Sequence, residues 1–238
     1  MKMIECKNLL KSYGAKKVLD GIGLSVSQGE FFGLVGMNGS GKSTMIKAML
    51  DLVAIDSGDI EIFGESHRQV SCRRNLAYLP DRFSPPPHLK GKDFIHYMLE
   101  LQGQRCEDKK INDMLDALEL DKAAMQSSVS SLSKGMTQKL GLAVCLLSEK
   151  KLLMLDEPMS GLDPKARVLF KKELNNKKRQ GLSVFFSSHV LADVDELADR
   201  IAVLHKGKLR YVGSAAGLKE EYKMNTLEDA YMQCIEHG

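Results

Sequence analysis

The chain has no tryptophan and only six prolines, three of them consecutive at Pro85 to Pro87. No apolar run approaches the roughly 18 residues a bilayer-spanning helix needs; the longest clean ones resemble "LGLAVCLL", Leu140 to Leu147. Its five cysteines (Cys6, Cys72, Cys106, Cys145, Cys234) contain no C-x-x-C pair and make an odd total. That excludes a disulfide frame and a cysteine zinc site, and predicts reduced thiols in the cytoplasm. The N-terminal "MKMIECKNLL" lacks the apolar stretch of a secretory signal. A formal charge of +3 is too small to make nucleic acid the expected partner. No repeat of 20–50 residues appears.

What is present is ordinary in bulk: 238 residues, 43% hydrophobic and 27% charged, with thirteen methionines available as core filler. The length suits one large domain or a domain with a sub-lobe. "MIECKNLLKSY" and "KVLDGIGLSVSQGE" alternate apolar and polar residues, as antiparallel strands with one wet face do. "FFGLVG" is a short buried strand ending in glycine, followed by a helix expected from Lys42 to about Leu52. "GDIEIFG" is another strand. Between Gly91 and Leu147, "KDFIHYMLELQ", "KKINDMLDALEL" and "SKGMTQKLGLAVCLL" carry helical spacings. Then follow the strand "KLLMLDEP", a helix Pro164–Gln180, the strand "LSVFFSSH", a helix "VLADVDELADR", a hairpin about Lys206-Gly207, and a short helical tail. The pattern predicts an α/β domain with a mainly helical insertion between about Phe83 and Ser148.

Two motifs carry chemistry. "GMNGSGKST" matches G-x-x-x-x-G-K-[ST] through Gly36, Gly41, Lys42 and Ser43, between a strand and a helix as the motif demands. Its glycines let the backbone wrap a phosphate, and the N–H groups at the helix start face the anion. The loop Gly36, Asn38, Gly39, Ser40, Gly41, Lys42, Ser43 and Thr44 is the candidate nucleotide-phosphate site. Lys42 would reach the β- and γ-phosphates and Ser43 would ligate Mg²⁺. In "KLLMLDEP" an apolar strand delivers Asp156 at its carboxyl end, where open α/β sheets bind ligands. Asp156 there suits a water-mediated Mg²⁺ contact, and Glu157 suits a base that deprotonates attacking water.

Beyond these motifs the chain resembles the ATP-binding subunits of ABC transporters, over nearly its whole length. "SSLSKGMTQKLGLA" resembles the signature usually written LSGGQ, retaining Leu132, Ser133 and Gly135, with Lys134 for a glycine and Met136 for the glutamine. This "LSKGM-x-QK" form resembles the variant of subunits serving one class of exporter (ABC-2-like) permease. "SGLDP" resembles the D-loop, "SSHVL" presents His189 where the family has its switch histidine, and Tyr13 stands where an aromatic stacks on adenine. The resemblance implies a P-loop NTPase fold: a mainly parallel RecA-like sheet, an N-terminal antiparallel β subdomain and a helical subdomain. It divides the chain into a core (1–82 and 149–213), a helical signature lobe (83–148) and a C-terminal helical tail (214–238). It implies ATP and Mg²⁺ as ligands and head-to-tail pairing with a second ABC subunit, homodimeric or heterodimeric. Ser133 and Gly135 would then complete the partner's site. It also implies a separate membrane permease, at the cytoplasmic face of the cell membrane, and no nucleic acid.

Each residue borrowed from the family also has a plainer reading. Ser133 suits a helix N-cap, His189 a packing histidine, and Tyr13 a half-buried strand aromatic. "KKELNNKKRQ", Lys171 to Gln180, reads as a solvated helix face. A soluble ABC-type ATPase of translation or DNA repair is the alternative function, although it normally carries two nucleotide domains or long inserted arms. A GTPase would need an Asn-Lys-x-Asp segment, which the sequence lacks. The departure from the family lies in "NLAYLPDRFSPPP". There Asp81 occupies a position usually held by Gln or Glu that bridges Mg²⁺ to the helical lobe. An aspartate still offers oxygen to a cation but donates no amide hydrogen bond. Asp81 is therefore a candidate metal contact through water or after loop closure, with a solvated loop acid as the alternative.

Overall fold

The computed structural model describes residues 1–237. β1 (Lys2–Tyr13) and β2 (Lys16–Ser27) pair antiparallel, and β3 (Phe31–Val35) leads through the phosphate loop into α1 (Lys42–Met49). β4 (Ser57–Ile62) and the two-residue β5 (Glu65–Ser66) follow, then β6 (Leu76–Leu79). Three helices come next: α2 (Gly91–Leu101), α3 (Asp108–Ala117) and α4 (Lys134–Leu147). β7 (Leu152–Asp156), α5 (Pro164–Lys178), β8 (Ser183–Ser188), α6 (Leu191–Leu197) and the hairpin β9 (Arg200–His205) and β10 (Lys208–Gly213) complete the alternation. The tail is two helices, α7 (Ala215–Glu221) and α8 (Leu227–His237).

The strands form two sheets, an antiparallel one ordered β2-β1-β4-β5 and a six-stranded one ordered β10-β9-β3-β8-β7-β6. Every neighbouring pair in the larger sheet is parallel except β9 with β10. A parallel sheet covered on both faces needs strands that are apolar on both, which is why "FFGLV" and "LLML" are unbroken. One face packs toward the antiparallel sheet and α1, through Phe32, Leu34, Met45, Ile60 and Phe185. Phe32 and Phe185 stack there with ring centroids 5.8 Å apart. On the other face Phe31 of β3 packs in one cluster with Phe94, Leu140, Phe170 and Val194 from the helices. β3 lies between β8 and β9, and connections leave it in both directions. The crevice at its carboxyl end is therefore where a doubly wound sheet binds its ligand.

Several elements end sooner than their periodicity suggests. α1 stops at Met49 because Asp51 turns left-handed (φ +58°), so Leu50 and Leu52 are not helical. α6 stops at Leu197, since Asp199 must accept the Phe31 N–H at 2.8 Å and β9 begins at the next residue. The basic face of α5 is not wholly solvated. Lys171 is buried and pairs with Asp193 of α6 at 2.8 Å, and with Glu196. Two charges leave water together here because each has a partner. The proline segment is tied down: Leu89 O accepts the Val129 N–H at 2.8 Å, and Gly91 N–H reaches Ser127 O at 3.3 Å.

Candidate active site

The phosphate loop has its shape because side chains would not fit. A Cβ on Gly41 (φ +113°) would lie 2.8 Å from the Val18 carbonyl of β2, and one on Gly36 would lie 2.5 Å from Leu204 O and Ser40 Oγ. The loop is thus pressed between β2 and β9 with its N–H groups at the start of α1. Lys42, almost wholly buried, folds back: its Nζ donates to Gly36 O at 2.6 Å and to Met37 O at 3.4 Å. The same ammonium stands 3.2 Å from Glu157 Oε1, an ion pair without hydrogen-bond alignment.

β7 brings Asp156 to this point with the side chain buried, and the Ser187 hydroxyl of β8 donates to Asp156 Oδ1 at 2.6 Å. Ser187 Oγ also accepts the Glu157 N–H at 2.9 Å, so one serine positions both acids. Burial pushes the Asp156 carboxyl pKa up. The hydroxyls of Ser187 and Ser43 work against that, and the charges of Asp81 and Glu157 add to it. Glu157 adopts φ +50°, a left-handed conformation costly for a side chain of this size. The turn aims its carboxylate at His189. His189 Nδ1 lies 2.8 Å from Glu157 Oε2, and the His189 backbone N–H reaches the same oxygen at 3.3 Å. With the carboxylate accepting, Nδ1 carries the proton and Nε2 is the ring's acceptor nitrogen.

A cavity of about 430 Å³ gathers Tyr13, Asn38, Gly39, Gly41, Lys42, Ser43, Thr44, Asp81 and Glu157. Tyr13 is half exposed at the end of β1, with the Lys11 ammonium 5.0 Å from its ring centroid. Asp81 is exposed at the rim. Gly36 and His189 border an adjoining cavity. Ser133 and Gly135 line neither. Ser133 caps α4, its Oγ accepting the Met136 N–H at 3.2 Å, and a Cβ on Gly135 would stand 3.2 Å from Gly161 O. Lys134 lays its stem on Gly161, and the buried Gln138 donates to Pro158 O at 2.9 Å. Lys16 and Val18 also line the site, and sequence reading passed over them and Ser187. Paired serines in the otherwise apolar "VFFSSH" were the available sign.

Among the described residues no three His, Cys, Asp or Glu side chains gather as a self-sufficient metal cage. A cation here would take few protein ligands and complete its shell with phosphate and water oxygens, which suits Mg²⁺. The buried Asp156 carboxylate, whose nearest donors are hydroxyls, fits such an ion.

A family profile described as ABC transporter matches residues 19–160. A Synechocystis protein named as an uncharacterized ABC transporter ATP-binding protein is 36% identical over 198 residues, 82% of this chain and 56% of its own. The probable multidrug ABC transporter ATP-binding protein YbhF of Escherichia coli is 34% identical, over 98% of this chain and 42% of its own. The uncharacterized ABC transporter ATP-binding protein YhaQ of Bacillus subtilis is 32% identical over 92% of this chain and 74% of its own. The chain thus spans little more than half the length of the first curated relatives it matches, 56% and 59%. A solved structure described as an ATP binding subunit of an ABC transporter superposes with TM-score 0.88 at 28% identity, covering 98% of this chain and 99% of that one. The dimeric MJ0796 cassette bound to ADP and Pi shares the fold, with TM-score 0.81 at 21% identity over 89% of this chain and 98% of its own. With a phosphate loop, two strand-end acids and a facing histidine set on this sheet, the chain belongs to the ABC transporter ATP-binding family.

Proposed function

We propose that the chain hydrolyses ATP to ADP and phosphate and so powers transport, in the manner of an exporter, through a separate permease at the cytoplasmic face of the membrane. The observation that carries this reading is the junction of Lys42, Glu157 and His189 beside Asp156 and Ser43. The names of its relatives favour a transporter subunit over a soluble factor of translation or DNA repair. In this reading residues 83–148 form the lobe under the permease, and residues 214–238 an appended tail.

The chemistry is positioning and charge stabilisation. Lys42 leaves the loop carbonyls and Glu157 for the β- and γ-phosphates, and Tyr13 stacks on the base. Ser43, and Asp156 through water, would hold Mg²⁺, which would offset phosphate charge. Glu157 Oε2 takes a proton from water as the water oxygen attacks the γ-phosphorus. The bond from that phosphorus to the β–γ bridging oxygen breaks and ADP leaves, and His189 Nε2 holds water and phosphate in line. Ser133 and Gly135 stand apart from this cavity; as the family resemblance implies, they serve the site of a second chain paired head-to-tail, with α4 presenting its N-terminus to the γ-phosphate.

Phosphate release from MgATP by the purified chain is expected to rise more steeply than linearly with protein concentration, since one chain holds an incomplete site. No release and no ATP binding at any concentration would sink the reading. Asp81 serves the cation through water: Asp81→Ala is expected to raise the Mg²⁺ needed for half-maximal rate by about tenfold, and Asp81→Gln by less. An unchanged requirement in both variants removes Asp81 from the metal site.

A further inference from the structure

The tail helix α8 closes a second cavity of about 320 Å³ against the phosphate loop. Gly36, Met37 and Asn38 form its loop side, His189 comes from the turn after β8, Leu191 from the start of α6, and Tyr231 from α8. Leu227, Ala230 and Cys234 anchor the helix in the core, so Tyr231 is held there. Its side chain is 6% exposed, and its hydroxyl is buried with no hydrogen-bond partner among the described residues. Met37 and Tyr231 line this one cavity, so the loop amide and the unsatisfied phenol share it without forming a bond.

Met37 is also the residue whose carbonyl accepts Lys42 Nζ at 3.4 Å, next to Gly36 O at 2.6 Å. The Gly36–Met37 peptide therefore has the phosphate-binding lysine on its carbonyl oxygen and, toward its N–H, a cavity shared with a buried, unsatisfied phenol. A buried hydroxyl without a partner is unfavourable, so a small turn of this peptide that aligns the pair is favoured. The cavity leaves room for that turn.

We propose that Tyr231 is a positioning residue for the phosphate loop. When ATP draws Lys42 off the Gly36 and Met37 carbonyls, the freed peptide turns and the Met37 N–H donates to the Tyr231 hydroxyl oxygen. The C-terminal helix thereby registers nucleotide occupancy and contributes to ATP affinity. This rests on the nucleotide-site reading above.

The test compares the full chain with Tyr231→Phe, which removes only the hydroxyl, by ATP titration, steady-state hydrolysis and amide hydrogen exchange. In the unaltered chain, ATP is expected to slow exchange at Met37 and across residues 227–236. In Tyr231→Phe the KM for ATP rises about threefold to tenfold at a kcat within about twofold, and ATP no longer protects Met37. Its melting temperature without nucleotide is unchanged or higher, since an unpartnered buried hydroxyl is gone, whereas Tyr231→Ala, which also leaves a void, melts lower and binds ATP more weakly still. Wild-type KM together with wild-type protection at Met37 in Tyr231→Phe overturns the proposal, as does a fall in kcat at unchanged KM. An unaltered chain that binds no ATP overturns the nucleotide site and the Tyr231 role together. That outcome is distinct from one in which the chain binds ATP and Tyr231→Phe matches it.

Discussion

Glu157→Gln is expected to slow phosphate release by about 10²–10⁴-fold, with ATP affinity held within a few-fold. The glutamine fills the same volume and keeps an oxygen for the His189 N–H, so the strained turn at φ +50° still has its anchor. What it loses is a group able to take a proton from water. It also releases Lys42 from the ion pair at 3.2 Å, which removes a competitor for the phosphates, so binding holds or tightens. Single-turnover release measured beside nucleotide affinity separates the two effects. A hydrolysis rate equal to that of the unaltered chain would strip Glu157 of its role as base.

Lys42→Ala is expected to act on the other quantity, weakening ATP binding by about 10²-fold through the loss of charge-assisted hydrogen bonds to phosphate. The ligand-free protein changes too. Gly36 O loses its donor at 2.6 Å, and Glu157 Oε1, buried beside it, loses its counter-charge. A fall in melting temperature is expected alongside the lost affinity. Titration with a fluorescent nucleotide checks the first and thermal unfolding the second. Unchanged affinity in a folded variant would contradict the phosphate-binding role.

The features that announced themselves in the sequence are those in which chemistry and local geometry coincide. "GMNGSGKST" is legible because the same glycines that admit a phosphate also permit the tight strand-to-helix turn. Asp156 is legible because an acid at the end of an unbroken apolar strand has few other reasons to be there. The alternation along β1, β2 and β4 and the helical spacing of α2 to α4 made the fold class readable. Ser187 was not readable, because a serine in a buried strand does not declare which acid it serves until β7 and β8 are paired. The left-handed turn at Glu157 is a dihedral, and a glutamate in a sequence carries no sign of it. Lys171 misled for a related reason. A lysine among lysines looks solvated, and only the packing of α6 on α5 supplies Asp193. The ends of α1 and α6 were set by long-range demands that periodicity does not contain. The tie between residues 87–91 and 127–130 likewise joins segments about forty positions apart.

α4 is fastened to the segment after β7 at two points, by the Gln138 amide on Pro158 O and by the Lys134 stem across Gly161. The strand end that carries Glu157 and the helix that presents Ser133 are consequently one mechanical part, like the two arms of a bell crank. A push that tilts α4 cannot leave Pro158 and Gly161 where they were, and the acid between them and the sheet feels the same torque. A displacement of the helices is therefore expected to be felt at Glu157 through the turn that follows β7, by way of a contact between residues 20 positions apart in sequence.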